Sequence, residues 1–107
     1  MNIVMEMHRM PCGIIYSADF AGFLRRKYEA EKRTHRGELL SLEYLRCSEG
    51  ERAGSAWWQV VWVPQLSAPA EHRFHIGETE VFIHRQSRRG LKNHLLHFTE
   101  GQVVVKA

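Results

Sequence analysis

Val81-Phe82-Ile83-His84-Arg85-Gln86-Ser87-Arg88-Arg89-Gly90-Leu91-Lys92-Asn93-His94-Leu95-Leu96-His97-Phe98 passes from an apolar run, through a polar and basic one, into a second apolar run. Glu80 to His84 and Leu95 to Phe98 have the composition of short strands. Ser87 to Lys92 is long enough for one helical turn ending near Asn93. The stretch therefore reads as strand, turn, strand. Upstream, Arg73 to Ile76 and Glu80 to His84 flank Gly77-Glu78, a hairpin signal with glycine in the turn. Downstream, Glu100-Gly101 separates Leu95–Phe98 from a last extended piece, Gln102 to Lys106.

Working towards the N-terminus, Pro64 to Ala70 reads as a connection. Before it, Trp57-Trp58-Gln59-Val60-Val61-Trp62-Val63 is the strongest strand signal in the chain. Trp58, Val60 and Trp62 share one face, and Trp57, Gln59, Val61 and Val63 the other. Apolar on both faces, it is expected to be a central strand packed on two sides. Cys47 to Ser55 is a polar loop with two glycines, and Leu39 to Leu45 another strand. Phe20, Ala21, Leu24 and Tyr28 fall at helical spacing after Ser17, a residue suited to capping, and Gly37 suits the stop. Ile14 to Tyr16 is a short strand before that helix. Alternation of Ile3, Met5 and Met7 with Val4, Glu6 and His8 is compatible with an opening strand. The order is β-α-β-β-β-β-turn-β-β. The expected fold class is α+β, a mostly antiparallel β domain with one main helix near the N-terminus and a short helical turn late in the chain. No internal repeat, linker or low-complexity tract stands out.

At 107 residues the chain fits a single domain. Hydrophobic residues at 44% and charged residues at 25% argue for a packed core and against disorder. No apolar run approaches the roughly 20 residues of a membrane span, and the start has neither a basic segment nor a long apolar one, so no membrane partner and no export signal are expected. Cys12 and Cys47 form no zinc or redox spacing. A cytoplasmic, reducing location is the expectation. The formal charge of +3 is too mild to imply nucleic acid by itself.

Seven histidines are many for this length. His72/His75 and His94/His97 are spaced three apart, with His84 between, and imidazole binds zinc, copper and nickel. On a strand, however, residues three apart point to opposite faces. Surface or hydrogen-bonded histidines are the commoner outcome. The helix carries Arg25, Arg26, Lys27, Lys32, Arg33 and Arg36, but also Asp19, Glu29 and Glu31, which favours a solvated, salt-bridged face. The later cluster of Arg85, Arg88, Arg89 and Lys92 is unbroken by acids. It suits an acidic partner or a phosphate backbone, though no aromatics are interleaved for stacking. Trp57, Trp58 and Trp62 could line an aromatic wall; within a valine run they are more often core. Nucleophile elbows, phosphate-cradling loops and cysteine-hydrolase motifs are absent, so no catalytic role is expected.

From Ile14 onward the chain resembles the A-type, or HesB-like, iron–sulfur carrier family. The opening Ile14-Ile15-Tyr16-Ser17-Ala18-Asp19-Phe20-Ala21-Gly22-Phe23-Leu24 is similar to the family's short strand and capped helix. In the second half, Ser87, Leu91, Leu96 and Phe98 fall at the family's spacing, with Asn93 where the family has Gly; Asn also tolerates a left-handed turn. The resemblance covers residues 13–107 and leaves 1–12 as an N-terminal extension. It implies a HesB-like fold and a place in iron–sulfur cluster assembly. Such carriers hold their cluster with three cysteines, one in a Gly-Cys-Ser-Gly loop and two in a C-terminal Cys-Gly-Cys. Here Cys47-Ser48 corresponds to the first, and no cysteine follows it. His84 and His97 stand where the family is usually acidic. One thiolate cannot stand in for three.

The resemblance thus points to a degenerate domain, similar to the cysteine-less N-terminal domain of Nfu-type scaffolds, which recognises client proteins. The leading expectation is a non-catalytic protein-binding or targeting module without cofactor, its partner met by Arg85, Arg88, Arg89 and Lys92. The alternatives are a metal or residual iron–sulfur site built from Cys47, His84 and His97 in an oligomer, and a basic nucleic-acid-binding module.

Overall fold

Among the described residues eight strands and two α-helices follow one another along the chain. They are β1 (Met7–Arg9), β2 (Ile15–Ser17), α1 (Ala18–Glu31), β3 (Glu38–Arg46), β4 (Ala56–Pro64), β5 (Arg73–Ile76), β6 (Thr79–Phe82), α2 (Arg85–Leu91), β7 (Leu95–Thr99) and β8 (Gln102–Lys106). The structure is a computed structural model that describes residues 6–46 and 56–107, with side chains at all of these but 45, 46, 56 and 57. The decisive stretch folds as strand, helix and strand: β6 ends at Phe82, the polar run forms α2, and β7 starts at Leu95. Asn93, in the glycine position of the family pattern, takes the left-handed conformation at φ 64°. Gly77 does the same at φ 61° in the hairpin turn.

The strands form two mixed sheets, ordered β1-β2-β7-β8 and β4-β3-β6-β5. Each sheet consists of two antiparallel hairpins joined by a central parallel pair, β2 with β7 in one and β3 with β6 in the other. The antiparallel expectation is thus met within the hairpins and not where hairpins join. Each helix carries the chain from one sheet to the other, so each parallel join brings together strands from opposite halves of the chain. Topologically the chain is hairpin, helix, hairpin, repeated: β1-β2-α1-β3-β4 and then β5-β6-α2-β7-β8. Each sheet takes the first hairpin of one unit and the second hairpin of the other. No sequence repeat announces this, because the two helices and the two second hairpins differ in length.

One core fills the space between these elements. Phe20 and Leu24 of α1, Leu91 of α2, Ile14 just before β2, Leu96 of β7, and Leu40, Leu42, Ile76 and Val81 from the other sheet are all fully buried. Removing a side chain of this size from water stabilises by about 1.5–3 kcal/mol. Met10 joins this cluster and β1 pairs with β2, so the described part of the expected N-terminal extension is built into the domain.

The tryptophan-rich strand departs from expectation. Among the described residues β4 is an edge strand, not a central one, paired with β3 alone. Trp58, Val60 and Trp62 pack against the core as their shared face predicts, but every residue from Trp58 to Val63 keeps intermediate exposure. The physical reason is the parallel join: β6 pairs with β3, which leaves β4 outermost.

Candidate functional site

The basic run is displayed by a helix whose other side is anchored. His84 occupies the cap position, extended at φ −61° and ψ 152°, and its Nδ1 accepts the Gln86 N–H at 3.3 Å. Ser87 is buried, and its Oγ accepts the Tyr44 N–H of β3 at 3.0 Å. Gly90 lies so close to Tyr44 that an added Cβ would collide with the ring, so glycine is needed for this approach. Leu91 enters the core. With positions 87, 90 and 91 committed inward, Arg85, Arg89 and Lys92 are four and then three residues apart and fall on one exposed side.

Arg88 behaves differently. Its guanidinium donates to Nδ1 of His72 at 2.9 Å and to the Ile83 carbonyl at 3.1 Å, and stands 5.2 Å from the centre of the Phe74 ring. It is half-buried and acts as a strut between α2 and the 70–74 segment, whereas the other three cations face solvent. None of the ion pairs among the described residues involves Arg85, Arg89 or Lys92.

Together the four cations and Cys12 line a shallow depression of about 250 Å3. Sequence reasoning missed Cys12, since nothing in Pro11-Cys12-Gly13 beyond a turn signal links it to Arg85, Arg88, Arg89 and Lys92 far along the chain. The link is made in three dimensions. Asn93 N–H donates to the Gly13 carbonyl at 2.8 Å, Gly13 at φ 96° packs on the Lys92 stem, and Arg9 donates to Asn93 Oδ1 at 3.1 Å. Cys12 carries a free, half-buried thiol.

The proposed metal ligands do not converge in the same way. His84 is exposed at the cap of α2, its ring 6.2 Å from that of His72. His97 is 8% exposed on β7, with Nδ1 2.7 Å from Oγ of Ser17. That hydroxyl also caps α1 by accepting the Phe20 N–H at 3.1 Å, so His97 braces a helix start. Cys47 lies outside the described residues, and among the described residues no group of three or more His, Cys, Asp or Glu is placed to hold a metal ion. His72 sits in a 3-10 turn and His94 in the turn before β7, so neither pair spaced three apart lies on one strand.

Of the cations on α1 and the turn after it, Arg25, Lys27 and Lys32 are paired locally, and Arg26, Arg33 and Arg36 take part in none of the ion pairs among the described residues. Arg25 and Lys32 flank Glu29 at 2.7 Å each, and Lys27 meets Glu31 at 3.1 Å. Trp62 is tied rather than presented: its ring stacks on His35 at 4.6 Å, and Nε1 donates to Glu31 Oε1 at 2.8 Å. Among the described residues no helix is long and apolar enough to cross a membrane. No protein-family model matches the chain, and neither a curated protein nor a solved structure is found similar to it.

Proposed function

We propose that the chain is a non-catalytic binding module that docks an acidic surface of a protein partner on the exposed side of α2. The observation that carries this reading is the stripe of Arg85, Arg89 and Lys92, which is solvent-facing and unmatched by any described acid, on a helix immobilised by Ser87, Gly90 and Leu91. Exposed ion pairs contribute about 0.2–1 kcal/mol each, so three of them steer and orient a partner more than they hold it. Arg88 supports the surface from beneath. Aromatic side chains that would stack bases are not part of the depression, which favours a carboxylate-bearing protein over a single strand.

Kinship with A-type iron–sulfur carriers belongs to the same proposal. Its support is that the motif positions Ser87, Leu91 and Leu96 are buried, and that Phe98 stacks on Phe23 of α1 at 4.7 Å. A pattern that specifies packing can outlast the loss of ligands.

The test is capture of partners by the immobilised chain, wild type against Arg85→Glu with Arg89→Glu. Loss of the captured proteins with an unchanged far-ultraviolet spectrum is the expected result. Retention of every partner by the folded variant would remove α2 as the surface. A matched titration with single-stranded RNA separates the nucleic-acid reading, which requires binding that falls steeply with salt.

A further inference from the structure

The four sheet edges of this molecule are not treated alike. β1 is three residues long and β5 four, with Arg9 on one and Arg73 on the other. β8, the topological counterpart of β4, is five residues long and ends in Lys106. Short length and charge are the ordinary ways in which an open edge is kept from pairing with another chain. β4 has neither. It runs for nine residues, Ala-Trp-Trp-Gln-Val-Val-Trp-Val-Pro, without a charge, and only its last residue is a proline. Among the described residues no strand pairs with its outer edge.

We infer that β4 is the subunit interface of a homodimer, pairing antiparallel with β4 of a second copy about a two-fold axis through Val60. Backbone N–H and C=O groups along an edge are satisfied by another strand, which sets the kind of partner. The sequence of β4 sets its identity. With Val60 opposite its own copy, each copy's Trp58 faces the other's Trp62, and Gln59 faces Val61. Aromatic thus meets aromatic on the core-side face, with no charge buried anywhere along the seam. Because the axis is perpendicular to the sheet, both core faces stay on one side, and the sheets merge as β5-β6-β3-β4 followed by its reverse. The pairing also accounts for a composition apolar on both faces in a strand that a lone chain leaves at an edge, because in the dimer β4 is central. This surface is separate from the basic side of α2, so either proposal stands if the other fails.

Equilibrium sedimentation of the full chain over a concentration series tests it, and the expected species has twice the 12.5 kDa chain mass. Gln59→Lys with Val61→Lys places like charges opposite each other twice across the axis and is expected to weaken the dimer about tenfold or more. A wild-type monomer at roughly 100 µM, well above the Kd of a specific dimer, overturns the proposal. So does a folded double-lysine variant that dimerises as wild type does. Should that variant fail to fold, cross-linking decides. With Cys12→Ser and Cys47→Ser in the background, Val60→Cys should be joined to its copy by a short bis-maleimide, and Val104→Cys on β8 should not. Equal cross-linking at the two positions sinks the interface.

Discussion

β3 and β4 are the two arms of one hairpin, in register from Glu38 opposite Pro64 to Arg46 opposite Ala56, yet they meet solvent very differently. Leu39, Leu40, Ser41 and Leu42 are at most 3% exposed, on both faces of the strand. Their partners Val63, Trp62, Val61 and Val60 are all half-exposed. By composition alone the ranking would be reversed, since β4 has more apolar and aromatic residues and no acid. What separates them is their second neighbour. β3 takes β6 on its far edge, with Leu40 opposite Val81 and Ser41 opposite Phe82, and receives α2 through Ser87 and Gly90 at Tyr44. β4 has no second neighbour among the described residues. Burial of a strand is decided by what pairs with its other edge, and that is a property of topology rather than of the strand.

The largest expected effect comes from truncating one apolar side chain on each arm to alanine. Leu42→Ala removes a fully buried side chain and should destabilise by about 2–5 kcal/mol. Val61→Ala removes a half-exposed one and should change stability by about 1 kcal/mol or less in the monomer. Urea unfolding followed by circular dichroism, below the concentration at which subunits pair, measures both. Equal losses at the two sites would erase the distinction between central and edge arm.

The same contrast marks how far the sequence could be read. Periodicity correctly located the helix capped at Ser17, the hairpin turning at Gly77 and the two strands of residues 81–98, because each depends on residues close together in the chain; the single helical turn expected over Ser87 to Lys92 is a longer helix that begins at Arg85, and the strand before it stops at Phe82 instead of His84. Face assignments within β4 were legible too, since alternation alone fixes which residues share a side. Sheet order was not. The β2–β7 and β3–β6 joins link residues about forty to eighty positions apart, and no local pattern encodes them. The candidate site divides along the same line. The run of cations was visible, but the separation of Arg88 from Arg85, Arg89 and Lys92 required His72 and Phe74, and Cys12 entered only through the Gly13–Asn93 contact.

A smaller effect of opposite sign is expected on β3. Ser41 is 1% exposed, and its Oγ has no hydrogen-bond partner among the described residues. A hydroxyl withdrawn from water without a new partner opposes folding. Ser41→Ala should therefore leave stability unchanged or raise it by up to about 1 kcal/mol. A clear loss on urea unfolding would mean that the hydroxyl is held by a group within the sheet.

The smallest effect concerns a hydrogen bond between β4 and α1. Glu31 accepts the Trp62 indole N–H at 2.8 Å, and both its carboxylate oxygens lie 3.1 Å from Lys27 Nζ. The indole bond first, and the Lys27 bond after it, hold the Glu31 carboxyl below its ordinary value of 4.5. A carboxyl lowered in the folded state adds stability that is fully present above that ordinary value and is lost as pH falls through the lowered one. With 38% of the side chain exposed, solvent screens much of the gain. Unfolding midpoints of wild type and Glu31→Gln should therefore differ by a small constant amount between about pH 6 and 8, and converge on acidification below about 4.5. Identical slopes in the two acid limbs would show that the indole is satisfied without the carboxylate. β4 would then be held by its pairing with β3 and its packing on the core, the case in which an open outer edge matters most.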